Sequence, residues 1–276
     1  MNDRGHGDQE DVPSVHCTVG PDGVAWIVLD NPAKLNALTT QMLDHDLPEA
    51  CRRVASDPEI LGAVLIGVGR GFCSGADVGE RLGMLASAGD ADLDRPLGGF
   101  VLDVARLSKP VVAAINGTTA GGGLSLAAVA DRRIALAGAR ITTGFRDRGL
   151  VPDGGLTLSL PALVGRQIAQ RMLFEGATLD SSEALDAGLV DEVVPTLEEL
   201  RSRASASVLA LAGEADQAAL ATKRIMNHRF LGDLERHIEL ESDAQWRCIR
   251  DPGFRTRLEE FTRRRSASLP ASEGDD

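Results

Sequence analysis

Two stretches of the chain put glycine where a β-prone run hands over to a helical one. The first is GVGRGFCSGADVGE, Gly67 to Glu80, and the second is AGGGLSLAAVAD, Ala120 to Asp131. Glycine loses more backbone entropy on ordering than any other residue, so Gly121, Gly122 and Gly123 in a row need a physical reason. Bare backbone supplies one: the first N–H groups of a helix have no intrahelical partner and can point outward. Two such donors aimed at one oxygen form an oxyanion hole, which stabilises a carbonyl that gains negative charge by about 3 kcal/mol per donor.

Other chemistries fit these residues poorly. The first stretch contains no GxxxxGK[ST], and its glycines at 67, 69, 71 and 75 do not follow GxGxxG, which argues against a phosphate loop. Gly71-Phe72-Cys73-Ser74-Gly75 has the form of a cysteine nucleophile elbow. That enzyme would need a histidine downstream, and only His228 and His237 are available, both in charged helical segments; the alternative for Cys73 is a small buried residue. Five histidines and four cysteines are scattered with no CxxC or HExxH, so neither a metal site nor a disulfide framework is expected.

These loops must be carried by a fold that the 276 residues, 43% of them hydrophobic, are long enough to build. VHCTV and VAWIVLD, separated by GPDG, read as a β-hairpin. Thr39 or Thr40 can cap a helix whose apolar face is Met42, Leu43, Leu47 and Val54. GAVLIGVG is apolar enough for a strand buried on both faces. Helical segments are expected at 78–88 and 96–107; VVAAI and DRRIALAG read as strands, and Gly154-Gly155 opens another helix. Strands alternating with helices imply a mainly parallel sheet in an α/β fold. From Leu197 onward the pattern is helical. The domain reading is a disordered N-terminus (1–14), a core (15–195), a helical C-terminal region forming a lid or oligomer contact (196–265) and a disordered tail (266–276).

The motifs GFCSGAD-x-x-E, KPVVAAINGTTAGGGLSLAAVAD, GLVPDGG and ATLDSSEALDAGLVDEVVP, with NPAKLNALT near the start, resemble the enoyl-CoA hydratase/isomerase (crotonase) superfamily in sequence and in order, from about Val15 to Arg264. The resemblance implies a crotonase-like spiral of ββα turns, acyl-CoA substrates, and homotrimers or dimers of trimers. It assigns the oxyanion donors to the N–H groups of Ala76 and Gly122, which stabilise a thioester enolate. It further implies that Lys34, Leu35 and Ala37, together with Asp77 and Val78, hold the CoA, and that Arg264, beside Phe261, reaches its phosphates. Surface charge alone is the alternative for Lys34 and Arg264. Asn36 and Asp77 are also suited to fixing loop geometry.

Hydratases of this family use two glutamates, and the matching places here hold Ser125 and Phe145. A serine hydroxyl has no useful basicity near neutral pH. Ser125 then reads as a small helix residue or a hydrogen-bonding partner of the substrate, and Phe145 as the wall of an apolar acyl pocket. One family acid position keeps its carboxylate: Asp153 in GLVPDGG, the place used by dienoyl-CoA and ring-forming isomerases. Asp153 is the expected catalytic residue for moving a proton between carbons. Its competing reading is a helix N-cap before LTLSL. Arg146, Asp147 and Arg148 read as a solvated or intersubunit ion-pair cluster.

The expectation is an acyl-CoA enzyme with isomerase-type chemistry. The alternatives are a hydratase with a non-standard base and an acyl-CoA-binding family member with little catalysis. No cofactor is expected beyond the CoA of the substrate. Net charge -12 with only three lysines opposes nucleic-acid binding. The polar, acidic start and the lack of a long apolar run lead to the expectation of a cytoplasmic protein without membrane contact.

Overall fold

The computed structural model describes residues 12–77, 79–80, 96–213, 217–254, 256–257, 259–260 and 263. Strand β1 (Ser14–Val19) and β2 (Val24–Asp30) form the antiparallel hairpin expected around GPDG. The next three strand pairs each contribute one member to a large sheet and one to a small sheet. These pairs are β3 (Gly62–Gly67) with β4 (Gly71–Cys73), β5 (Val111–Ile115) with β6 (Thr118–Ala120), and β7 (Arg132–Leu136) with β8 (Arg140–Thr142). Among the described residues the large sheet runs β1-β2-β3-β5-β7-β10 and the small one β4-β6-β8-β9, where β9 is Thr178–Asp180 and β10 is Glu192–Val194. Pairing is parallel except β1/β2 and β8/β9. A helix follows each of the later turns: α2 (Val101–Ala105), α3 (Gly122–Ala128) and α4 (Leu156–Gln170), so the chain winds as a ββα spiral.

Alternation along the strands divides the core. Val64, Ile66, Val112, Ala114 and Ile134 face one side of the large sheet, where Leu200, Ala204 and Val208 cover them. Those three belong to α6 (Leu197–Ala212), which begins on a Thr196 side-chain cap. Ala63, Leu65, Ala113 and Ile115 face the other side and enter the main core between the sheets. There they meet Met42, Leu43, Leu47 and Val54, the face read from sequence. Thr39 Oγ1 accepts the Met42 N–H at 3.2 Å, and the chain passes through a π-turn into α1 (Leu47–Ser56).

α5 (Ser181–Asp186) carries a full capping box between Asp180 and Glu183. The long α7 (Gln217–Arg250) then returns across the spiral, burying Leu234 and Ile238 in the main core. Of the helix expected at 96–107, the regular part is α2 alone, preceded by a turn through Gly98, which has φ +87°.

Candidate active-site cleft

The two glycine loops meet. Gly75 has φ +92°, and a Cβ there would lie 3.2 Å from the Gly122 nitrogen and 3.1 Å from the Ala120 oxygen. Each member of the triple glycine has its own reason. Gly121 sits at φ 54°, ψ -131°, a conformation that only glycine adopts readily. At Gly123 a Cβ would fall 2.3 Å from the Cys73 carbonyl oxygen, so α3 packs against β4 with no room for a side chain. At Gly122 it would fall 2.9 Å from the Phe100 ring, on the side that faces the cleft.

The donors follow from local pairing. Leu38 bridges Ala76 in parallel: the Leu38 N–H donates to the Gly75 oxygen (2.8 Å), and the Asp77 N–H donates to the Leu38 oxygen (2.9 Å). N–H groups alternate sides along an extended segment, so that of Ala76 points to the opposite edge. Gly122 is the first residue of α3, where N–H groups have no intrahelical acceptor. Neither N–H has a partner among the described residues.

Gly121, Gly122, Gly75 and Ala76 share one cleft with Asp153, Phe145, Leu38, Leu43, Phe100, Arg148, Leu150 and Gln245. Asp153 is the single carboxylate among the described residues that line it. The N-cap reading of Asp153 does not match this geometry. The cap position of α4 is Gly155, with no cap from a neighbouring side chain in sequence. Glu241 of α7 takes that place instead. Its carboxylate accepts the N–H groups of Gly155 (2.7 Å) and Thr157 (2.8 Å) and the Thr157 hydroxyl (2.6 Å). Burial raises the Glu241 pKa above its ordinary value, against the pull of these donors and of His237.

Ser125 is fully buried and does not line the cleft. Its hydroxyl donates to the Asp153 carbonyl oxygen at 2.8 Å and is 3.4 Å from that of Gly121. Phe145, 7% exposed, lies in the cleft wall. Arg148 departs from the surface cluster expected of it. A short 3-10 turn (Arg146–Arg148), closed by left-handed Gly149, leaves Arg146 and Asp147 exposed but turns Arg148 inward, where it donates to the Gly144 oxygen and lines the cleft. Arg148, Gln245 and Phe100 are cleft residues that sequence reasoning missed. Gln245 comes from α7, far along the chain, and nothing in its local pattern marks it.

Lys34, Leu35 and Ala37 stand beside the Ala76 loop. Lys34 Nζ pairs with Asp77 at 2.6 Å, and Ala37 is buried. Burial alone would raise the Asp77 carboxyl, but the Lys34 hydrogen bond and charge and the N–H groups of Glu80 and Gly79 outweigh it, holding it below the ordinary range. Leu35 and Asn36 both have positive φ. Asn36 holds that strained turn by accepting the Asn31 N–H and donating to the oxygens of Val68 and Gly71. Val78, Phe261 and Arg264, together with residues 81–95 and so most of the helical segment expected at 78–88, lie outside the described residues. Cys73 is fully buried, and burial pushes its thiol up to about 12, which leaves no thiolate for a nucleophile elbow. Among the described residues no group of side chains could hold a metal ion, and no helix is long and apolar enough to cross a membrane.

Comparison with known proteins identifies the family. The model of the enoyl-CoA hydratase/isomerase family matches residues 20–269. The chain is 34% identical over 244 residues to "Probable enoyl-CoA hydratase EchA14" of Mycobacterium tuberculosis, covering 85% of this chain and 92% of that one. It is 32% identical over 247 residues to 1,2-epoxyphenylacetyl-CoA isomerase of Escherichia coli, covering 88% and 94%. The crystal structure of an enoyl-CoA hydratase from Bacillus halodurans superposes with a TM-score of 0.81 at 29% identity, covering 89% of this chain and 99% of that one. The chain therefore belongs to the enoyl-CoA hydratase/isomerase family, whose members act on acyl-CoA thioesters.

Proposed function

We propose that the protein isomerises an unsaturated acyl-CoA, moving a proton between carbons of the acyl chain through an enolate. The observation that carries this reading is the cleft's composition. It holds one described carboxylate, Asp153, beside two loops that present bare backbone, while the family's two glutamate places hold Ser125 and Phe145. The thioester oxygen would accept the Ala76 and Gly122 N–H groups. Withdrawal of charge toward that oxygen acidifies the adjacent C–H, and the Asp153 carboxylate takes the proton. The electron pair of that C–H bond becomes a new C=C, and the enolate then collapses as Asp153 returns the proton to another carbon. No water is consumed, so no second activating carboxylate is required.

In the same reading Lys34, Leu35, Ala37, Asp77 and Val78 hold the CoA, with Phe261 and Arg264 contributing at its phosphates, and Phe145 walls the acyl chain. Assembly as a homotrimer or dimer of trimers in the cytoplasm completes it. Large apolar side chains left exposed on the subunit, Phe174, Ile225, Met226 and Leu240, support the assembly. A panel of enoyl-, dienoyl- and 3-hydroxyacyl-CoAs tests the reaction. Double-bond migration that Asp153→Ala abolishes is the expected result. Rapid hydration of crotonyl-CoA, or equal turnover by Asp153→Ala, contradicts it.

A further inference from the structure

The strip that carries Asp153 has no helix or strand of its own. Residues 150–153 lie between the short turn closed by Gly149 and the start of α4. Where such a strip stands is set by what its main-chain groups bond to. Pro152 has no N–H to bond. On either side of it the Val151 N–H donates to Gln245 Oε1 at 2.7 Å, and the Gly155 N–H donates to the Glu241 carboxylate at 2.7 Å. The chain is pinned two residues before Asp153 and two residues after it, and both pins come from α7.

A third residue of the same helix holds a second segment. Ser242 Oγ accepts the Leu97 N–H at 3.0 Å. The residue after Leu97 lies directly on the acid strip. A Cβ on Gly98 would fall 2.3 Å from the Gly154 nitrogen and 3.3 Å from Asp153 Cβ, so the two main chains touch there with room for a hydrogen only.

Glu241, Ser242 and Gln245 are 3%, 5% and 3% exposed. At 3.6 residues per turn they fall within about 100° of arc on α7. Buried polar side chains are unfavourable unless bonded, and each of these accepts an N–H from one of the two segments that bring Leu97, Gly98, Leu150 and Asp153 into the cleft wall.

We propose that Gln245 and Ser242 are positioning residues for Asp153: by holding the two segments against each other, α7 sets the reach of the carboxylate toward the acyl carbons. This rests on the isomerase reading above and adds what controls the acid in it. Neither side chain has to touch the substrate. Loss of a pin lets the carboxylate shift, and a displacement of about 1 Å can cost about 10²-fold in rate. The oxyanion loops stand on β4 and α3, so thioester binding is spared.

The test compares turnover of an enoyl-CoA that wild type isomerises with calorimetric affinity for butyryl-CoA. Gln245→Met keeps the length of the side chain and removes the acceptor, whereas Gln245→Glu keeps an acceptor, ionised or not. Ser242→Ala and Asp153→Asn complete the set. Gln245→Met is expected to lose about tenfold in kcat and Ser242→Ala about threefold, with affinity within about twofold of wild type. Gln245→Glu is expected to recover most of the Gln245→Met loss. Unchanged kcat in either folded Gln245→Met or folded Ser242→Ala overturns the inference. So does an affinity loss equal to the kcat loss, or a Gln245→Glu no faster than Gln245→Met. Should Gln245→Met fail to fold, Ser242→Ala carries the test alone. A wild type that isomerises no enoyl-CoA, or an Asp153→Asn as fast as wild type, contradicts the isomerase reading itself, and this inference falls with it. A slow Asp153→Asn beside an unaltered Gln245→Met leaves that reading standing and removes only the positioning role.

Discussion

The hydroxyl of Ser125 donates a 2.8 Å hydrogen bond to the carbonyl oxygen of Asp153. One end of this bond is on the helix that begins at Gly122 and the other in the loop that carries the acid, so the two halves of the proposed chemistry are fastened through the core. Glu241 holds the same loop from behind through the Gly155 and Thr157 N–H groups. In the proposed chemistry Ser125, at the place that the resemblance gives to the first family glutamate, positions Asp153 through this bond.

Ser125→Ala removes a side-chain donor to that carbonyl. It should cost about 1 kcal/mol of stability and lower kcat with KM nearly unchanged, because the thioester contacts are untouched while the acid loosens. Steady-state kinetics with a thermal melt check this. A rise in KM at constant kcat would show that Ser125 contributes to binding instead.

Gly122 and Gly123 should respond differently to the same added methyl. At Gly123 the methyl meets the main chain of Cys73 at 2.3 Å, so the variant is expected to lose stability through the packing of α3 on β4. At Gly122 it meets the Phe100 ring at 2.9 Å, and a ring can move. Gly122→Ala should therefore fold, yet lose about 10²-fold in kcat, the cost of disabling one oxyanion donor. Comparing denaturation midpoints with turnover for the two variants separates packing from chemistry.

The buried Glu241 carboxyl has a folded pKa raised above its unfolded value. For a raised carboxyl, the folded state binds the proton more tightly than the unfolded state does. The stability that proton contributes is full below the ordinary value of about 4.5 and is lost as pH rises through the folded value. Wild type should lose stability relative to Glu241→Gln across that rise. Urea midpoints of both proteins from pH 4 to 8 measure it; parallel curves would contradict the assignment.

Cys73 should be silent toward alkylation. With its thiol pushed up to about 12 and its side chain fully buried, iodoacetamide at pH 8 should leave it unmodified in the folded protein, without effect on turnover. Mass spectrometry of Cys73-containing peptides, folded against urea-unfolded, reads this directly. Inactivation that tracks Cys73 labelling would revive the nucleophile elbow.

The sequence made the large sheet legible because its strands are long enough to carry a pattern: GAVLIG and VVAAI are apolar throughout and form β3 and β5. The small sheet was not legible by the same means. Its strands are three residues each, and GFC, TTA and RIT carry no periodicity, so only the family resemblance implied the second strand of each turn. The site divides likewise. Gly121 to Gly123 announced themselves because glycine there is costly without a cause. Glu241 and Gln245 lie in a long helix full of charged and polar residues, where an inward polar side chain has no local signature. The N-cap expectation for Asp153 failed because α7 delivers a carboxylate to the same N–H groups, a tertiary substitution that local spacing cannot reveal.

Proton transfer at the acyl carbons tests the central claim most directly. Wild type and Asp153→Asn would be incubated with an enoyl-CoA in D₂O and followed by proton NMR, with CoA-thioester affinity measured in parallel. Deuterium entering the acyl chain in wild type, a loss of about 10²-fold or more in Asp153→Asn and similar affinity for both are the predicted results. Unchanged exchange in Asp153→Asn, or none in a wild type that binds the thioester, would contradict the account.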